Sequence, residues 1–178
     1  NITITDLSNF DYLYKPIKED STVLLVDDLS YEIKLVNGIC KHYEDDYIEI
    51  RNITNLDFKN FLNQNNNNFD DIIIDFNKIF LNSGIFFNIK SEAKLNIRLT
   101  HYTSDNFTIF QNNFINFKKN CEIQLEDHFN LAYNSINNIN YSINVEEGAF
   151  IKHNIFQNFS NSNKLFLTSN TVCKKNSS

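Results

Sequence analysis

Two short stretches place metal-type donors side by side. "EDHF" puts Glu126, Asp127 and His128 in a row, and "KHYEDD" sets His42 close to Glu44, Asp45 and Asp46. Two carboxylate types and an imidazole are a donor set for a divalent cation. Spacing weakens that reading in both places. On a strand, adjacent side chains leave opposite faces, so three consecutive donors do not converge on one ion. Glu126–His128 is therefore expected to split between two faces, and His42–Asp46 reads as a solvated loop. Cys40, Cys121 and Cys173 form no CxxC and no pair at metal spacing. An odd, widely spaced set fits reduced thiols better than a disulfide framework. The chain has no Gly-rich phosphate loop, no GxSxG elbow and no HExxH helix. On this basis no residue is assigned a catalytic, cofactor-binding or metal-binding role.

The elements that must hold such residues come from composition and pattern. The chain has 178 residues, 42% of them hydrophobic and 21% charged, as a folded domain needs. Its formal charge of −6 gives no general attraction to nucleic acid or to an anionic membrane. The 32 Asn, with one Pro, no Trp and no Met, fit a composition bias more than a function. Apolar runs such as "VLLV" from Val23 fall far short of the roughly 20 residues that cross a bilayer. The start "NITITDLSNF" has neither the basic region nor the apolar block of a signal peptide. A cytoplasmic location is the expectation, with neither nucleic acid nor membrane as a partner.

A repeat organises the second half. "IKSEAKLNI" from Ile89, "FKKNCEIQL" from Phe117, "VEEGAFIKH" from Val145 and "CKKNSS" from Cys173 recur at one fixed interval. Ile89, Phe117, Val145 and Cys173 share an apolar column. Phe87, Ile115 and Ile143 stand two residues earlier, with Asn88, Asn116 and Asn144 between, which is strand alternation. A polar trio follows, and its last position (Glu92, Asn120, Gly148, Asn176) favours residues that tolerate left-handed backbone. The next column (Ala93, Cys121, Ala149, Ser177) is small, as a tight corner requires. Leu95, Ile123 and Ile151 then point inward. Strand, corner, strand and a looser stretch make one coil of a stacked solenoid. The expected fold is mainly β: a right-handed β-helix of about 28 residues per coil over residues 85–178, truncated within its fourth coil. A small α/β capping region is expected over residues 1–84. In it, "STVLLVDDLSYEIKLVNGIC" reads as two strands around a turn, with "NG" as a second turn. Helical spacing is seen near Phe58–Leu62 and again over Phe69–Phe80, ending at Gly84.

These segments together resemble the SufB/SufD family of iron–sulfur cluster assembly proteins. "DFNKIFLNSGIFFNIKSEAKLNIRLTHY" (75–102) is similar to the family's segment that opens the β-helix. "FINFKKNCEIQLEDHF" (114–129) and "YSINVEEGAFIKHNIFQN" (141–158) resemble the coils that follow. "IKLVNG" (33–38) sits where the SufD branch carries an apolar–Asn–Gly element. The resemblance runs from about Val23 to Ser178, is carried by diffuse motifs, and favours SufD because the α/β part is short. It implies a scaffold subunit and not an enzyme, with a SufB-like subunit and a SufC-like ATPase as partners. A nascent iron–sulfur cluster would be built on the full complex, and no ligand residue for it carries over to this segment.

Within that frame Cys121 is the position that tempts a cluster assignment, but its small column makes it a buried filler. Cys173 reads as core, and Cys40 follows a turn without a partner. His153 shares a column with Ile97 and Leu125 and reads as a hydrogen-bonded interior histidine. Two rival classes remain open. One is a carbohydrate-active β-helix of the polysaccharide-lyase type, for which the outward set Arg98, Glu126 and Asn154 is mixed in character. The other is a structural solenoid whose Asn columns stack as ladders.

Overall fold

The computed structural model describes residues 21–27, 29–53, 81, 83–90, 92–158 and 162–178. Eleven strands fall in two sheets. The first sheet contains β1 (Thr22–Asp27), β2 (Ser30–Val36), β6 (Lys94–Thr103), β8 (Glu122–Leu131) and β10 (Phe150–Asn158), in that order. The second contains β11 (Lys164–Cys173), β9 (Ile136–Val145), β7 (Thr108–Phe117), β5 (Ile85–Ile89), β4 (Ile48–Asn52) and β3 (Tyr43–Glu44). Beyond the N-terminal hairpins, all pairings are parallel and one coil apart: Leu95 lies on Ile123, Ile123 on Ile151, Ile115 on Ile143. The fold is a β-solenoid whose coil length matches the interval of the sequence columns.

The coil is more symmetric than expected. Strands begin at Lys94, Thr108, Glu122, Ile136, Phe150 and Lys164, evenly spaced at half a coil. The stretch expected to be loose is a second corner as tight as the first. Asn106 and Asn134 hold φ of 55° and 56° there, while Asn120, Gly148 and Asn176 hold 56°, 73° and 59° at the other corner. A link this short turns the chain only if one residue becomes left-handed, and Asn and Gly do so at least cost. Glu92, expected in this column, does not. The ladder hydrogen bonds continue through the corners, from Glu146 N–H to Phe117 O and from Lys174 N–H to Val145 O. Asn120→Ala should therefore lose about 1 kcal/mol while Asn120→Gly stays near wild type, read as urea unfolding midpoints.

Inward residues follow the alternation. Leu95, Ile97, Leu99, Ile115, Phe117, Ile123, Leu125 and Val145 are all buried and close one half of the interior with apolar contact. Between coils, outward residues pair with their own column: Lys94 with Glu122 at 2.9 Å, Lys119 with Glu147 at 3.4 Å, Asn134 with Asn106 at 2.9 Å. Exposed pairs of this kind add well under about 1 kcal/mol each. They keep register more than they stabilise.

The solenoid starts earlier than residue 85. β2 pairs in parallel with β6, Ser30 on Asn96, so the first coil is more than twice the length of each later one. It takes in the β3–β4 hairpin and the chain that joins β4 to β5. β1 folds back antiparallel on β2, and the β3–β4 hairpin extends the second sheet with antiparallel pairing on β5. The two strands and the Asn37–Gly38 turn expected from "STVLLVDDLSYEIKLVNGIC" are present, with φ of 48° and 75° at the turn. Helices expected near Phe58–Leu62 and Phe69–Phe80 lie outside the described residues. Among the described residues no helix is long and apolar enough to cross a membrane.

Candidate functional site

The opposite half of the interior is polar. Three strands of the first sheet bring His101, Asp127 and His153 inward, each one coil above the last and two residues back along its strand. The three side chains thus form a diagonal across three coils. Asp127 Oδ1 lies 2.8 Å from His101 Nε2, and Oδ2 lies 2.6 Å from His153 Nε2. The Asp127 side chain is fully buried, His101 is 5% exposed and His153 is 20% exposed. His101 stacks on Phe129, its register partner, at 4.3 Å between ring centres. Tyr141, from the facing sheet, meets the His153 ring edge-on at 5.8 Å, with its hydroxyl 3.4 Å from His101 Nε2.

The electrostatics follow from burial and pairing. Burial alone would push the Asp127 carboxyl up. Hydrogen bonds from the two imidazoles, and their charge, outweigh that and hold it at about 2. Asp127 is thus an anion in the core with one imidazole donor per oxygen, an arrangement that satisfies a buried charge. Tyr141 is pushed well above the ordinary phenol value, first by burial and then by the Asp127 charge. A depressed acid and a raised phenol within one hydrogen-bonded group can hold protons in place and orient rings. Among the described residues no group of three or more His, Cys, Asp and Glu could hold a metal ion.

The residues singled out from sequence divide accordingly. "EDHF" splits as expected: Asp127 points in, while Glu126 and His128 point out and meet at 3.2 Å. His153 is the hydrogen-bonded interior histidine that its column implies. Its partner is not legible from columns, because columns align register partners and this contact lies two residues off register. His42 is exposed and 4.0 Å from Glu44, as a solvated loop allows. Asp45 departs from that reading. Its carboxylate accepts the Tyr31 hydroxyl at 2.7 Å, the Tyr43 hydroxyl at 3.0 Å and the backbone N–H groups of Tyr47 and Ile48 at 2.8 Å. It builds the β3–β4 turn.

Cys121 is buried in its small corner column, and Cys40 is buried behind the Asn37–Gly38 turn. Burial pushes their thiols up to about 11 and about 12. Cys173, read as core from its column, is exposed on β11, the last strand of its sheet, with only Val145 beside it in register among the described residues. Thiol titration with an aromatic disulfide reagent should find one fast-reacting cysteine, lost in Cys173→Ser, and two that react only on unfolding.

On the outer face of the first sheet, Glu32, Arg98 and Glu126 stand in one ladder column. Arg98 reaches Glu126 at 3.4 Å. With Ser30, Asn96 and Gln124 they line an open groove of about 460 Å³. Hydrogen bonding from His128, against a smaller opposing effect of burial, holds the Glu126 carboxyl below the usual range, with Gln124 and Arg98 adding to it.

Comparison with known proteins returns nothing: no family model, no curated protein and no solved structure matches the chain.

Proposed function

We propose that the chain is a SufD-like scaffold subunit of an iron–sulfur cluster assembly complex, acting by binding partners and not by turnover. A SufB-like solenoid and a SufC-like ATPase are its partners in this reading, and ATP hydrolysis belongs to the latter. The observation that carries it is the register of the coils. The two segments that resemble the family's coils, 114–129 and 141–158, occupy equivalent places in successive turns, each running from the end of one strand through a corner into the next. The interior Asp127 group suits this role as well. It is hydrogen-bonded through both carboxylate oxygens and buried, which is how a rigid support is built.

Co-expression tests the proposal. The chain should co-purify with a SufC-like ATPase and a second β-helix subunit from the same source, and the complex should accept iron and sulfide on reconstitution. A chain that elutes alone from cells expressing all three would overturn it.

The outer groove favours a second reading, a carbohydrate-active solenoid. Two carboxylates flanking a guanidinium, with hydroxyl and amide groups beside them, can hydrogen-bond a polyhydroxylated chain. Binding of an acidic polysaccharide that is lost in Arg98→Ala would support that reading against the scaffold.

A further inference from the structure

One dipeptide in the first coil carries a chemistry of its own. Of the 32 Asn, Asn37 alone is followed by Gly. Asn–Gly is the pair at which a side-chain amide is lost most readily, because a residue without Cβ leaves its backbone nitrogen open to attack the Asn side-chain carbon. Here the pair makes the tight turn that follows β2. Val36 and Ile39 exchange backbone hydrogen bonds across it, at 3.0 Å each, and both central residues hold positive φ. That is the turn for which Asn–Gly is the favoured sequence.

The fold holds the Asn37 amide from both sides. Its Oδ1 accepts the Ser104 backbone N–H at 2.8 Å, and its Nδ2 donates to Ser104 Oγ at 3.1 Å. The Asn37 backbone N–H donates to the Tyr102 carbonyl at 2.8 Å, so the turn is fastened to the corner that follows β6. Asn37 is 2% exposed, and Gly38 is buried with it. Left-handed backbone adds a geometric block. Attack needs the Asn37 Cβ turned toward the Gly38 nitrogen, and the left-handed region, with φ of 48°, turns it away. We propose that Asn37 is a site of spontaneous deamidation that the native fold masks. It is uncovered whenever the Asn37–Ser104 clasp opens, and its product keeps the clasp from closing again.

The reaction needs only water. The Gly38 nitrogen bonds to Asn37 Cγ, the Cγ–Nδ2 bond breaks, and Nδ2 leaves as ammonia with the proton that Gly38 gives up. Water then opens the five-membered imide at one of its two carbonyls. Opening at the side-chain carbonyl leaves an aspartate. Opening at the backbone carbonyl leaves an isoaspartate, with the chain now routed through the former side chain. Either product removes the Nδ2 donor and sets an anion where the side chain is buried. Isoaspartate also adds a methylene to the backbone of the turn. The Gly38 side has no slack to absorb it: even a Cβ there would lie 2.3 Å from Ser83 Oγ and 3.0 Å from Gln111 Oε1.

Ageing the chain at mildly alkaline pH, folded in buffer and unfolded in urea, tests this. Peptide mass mapping and methylation by an isoaspartyl methyltransferase read the product at position 37. Asn37 should convert in urea and about a hundredfold more slowly in the fold, since chemistry that needs local opening follows the opened population. Ser104→Ala removes one side of the clasp. It should speed conversion in the folded chain about fivefold, as loss of one hydrogen bond allows, and leave the rate in urea unchanged. Aged wild type returned from urea should regain its native unfolding midpoint only in proportion to the Asn37 still intact. Asn37→Gly keeps a residue that accepts positive φ and has no amide to lose, so its refolding should be the same before and after ageing. Conversion as fast in the fold as in urea overturns the proposal, and so does a folded rate that Ser104→Ala leaves unmoved. Chains that carry isoaspartate at position 37 and still refold to the native midpoint overturn it as well.

Discussion

Asp127→Asn should cost about 3 kcal/mol at neutral pH, because the amide sets a donor against an imidazole N–H and leaves buried groups unpaired. Both carboxylate oxygens are used, at 2.8 Å and 2.6 Å, and the side chain has no access to water. The pH dependence follows from the depressed carboxyl. It titrates at about 2 in the fold and at about 3.9 in the unfolded chain. A group depressed by folding stabilises above its unfolded value, and that stabilisation is lost as pH falls through the folded value. The carboxylate's contribution, about 2–3 kcal/mol by linkage, should therefore be complete above about pH 4 and gone near pH 2. Urea unfolding of wild type and Asp127→Asn at pH 7, 4 and 2.5 reads this as a stability gap that closes in acid. A gap that stays constant would show that the carboxylate is not the group responsible. The triple change His101→Leu, Asp127→Leu, His153→Leu adds a second reading. Leu99 and Ile155 occupy the Asp127 column in the adjoining coils, so an apolar replacement of the whole group should recover much of the loss.

Gly84→Ala should be as damaging, for a steric reason. Gly84 sits at φ of 155°, and a Cβ there would lie 2.1 Å from the Asn112 carbonyl oxygen and 2.8 Å from Ile53 Cδ1. The backbone on both sides is tied. Ile53 N–H donates to the Gly84 carbonyl at 3.0 Å, and Asn112 N–H donates to the Ser83 carbonyl at 3.3 Å. The Asn112 carbonyl cannot retreat without breaking a ladder, although the Ile53 side chain can turn, so strain and overpacking together should cost about 3–5 kcal/mol. Gly148→Ala is the control. Its Cβ would meet the Asn120 side-chain oxygen at 2.2 Å, an atom free to swing away. That change should cost about 1 kcal/mol, chiefly for an Ala in left-handed backbone. Thermal unfolding that ranks the two variants equally would mean that the first coil yields where these contacts say it does not.

How far sequence carries the fold can be judged from individual positions. Ile89, Phe117 and Val145 with the Asn residues before them fix which face of each strand is inward; the structure follows that alternation strictly in β5 and β8, while Thr100, Asn112, Asn138 and Asn140 are buried at the alternate positions of β6, β7 and β9. The corner column of Asn120, Gly148 and Asn176 is equally plain. Its twin at Asn106 and Asn134 is not, because the two sheets bury different residues, so the half-coil repeat shows only in the Asn of the turns. The place of β2 in the first coil is hidden for another reason. An insertion makes that coil more than twice as long as the rest, and a fixed-period comparison cannot align across it.

The site is less legible than the fold. Burial of Asp127 and exposure of Glu126 and His128 follow from alternation alone. That His101 and His153 clamp Asp127 does not, because a diagonal contact depends on side-chain length and on the stagger between coils, neither of which a column records. Asp45 shows the same limit, since one of its four hydrogen bonds comes from Tyr31 on β2, across the sheets from the hairpin that supplies the other three. By itself the sequence determined the period, the inward faces and one of the two corners, which are set by local backbone preference and by the two-residue alternation of a strand. Only the tertiary structure decided which polar residues meet in the interior and which outward charges pair between coils. Those depend on distances between coils, which no single stretch of chain contains.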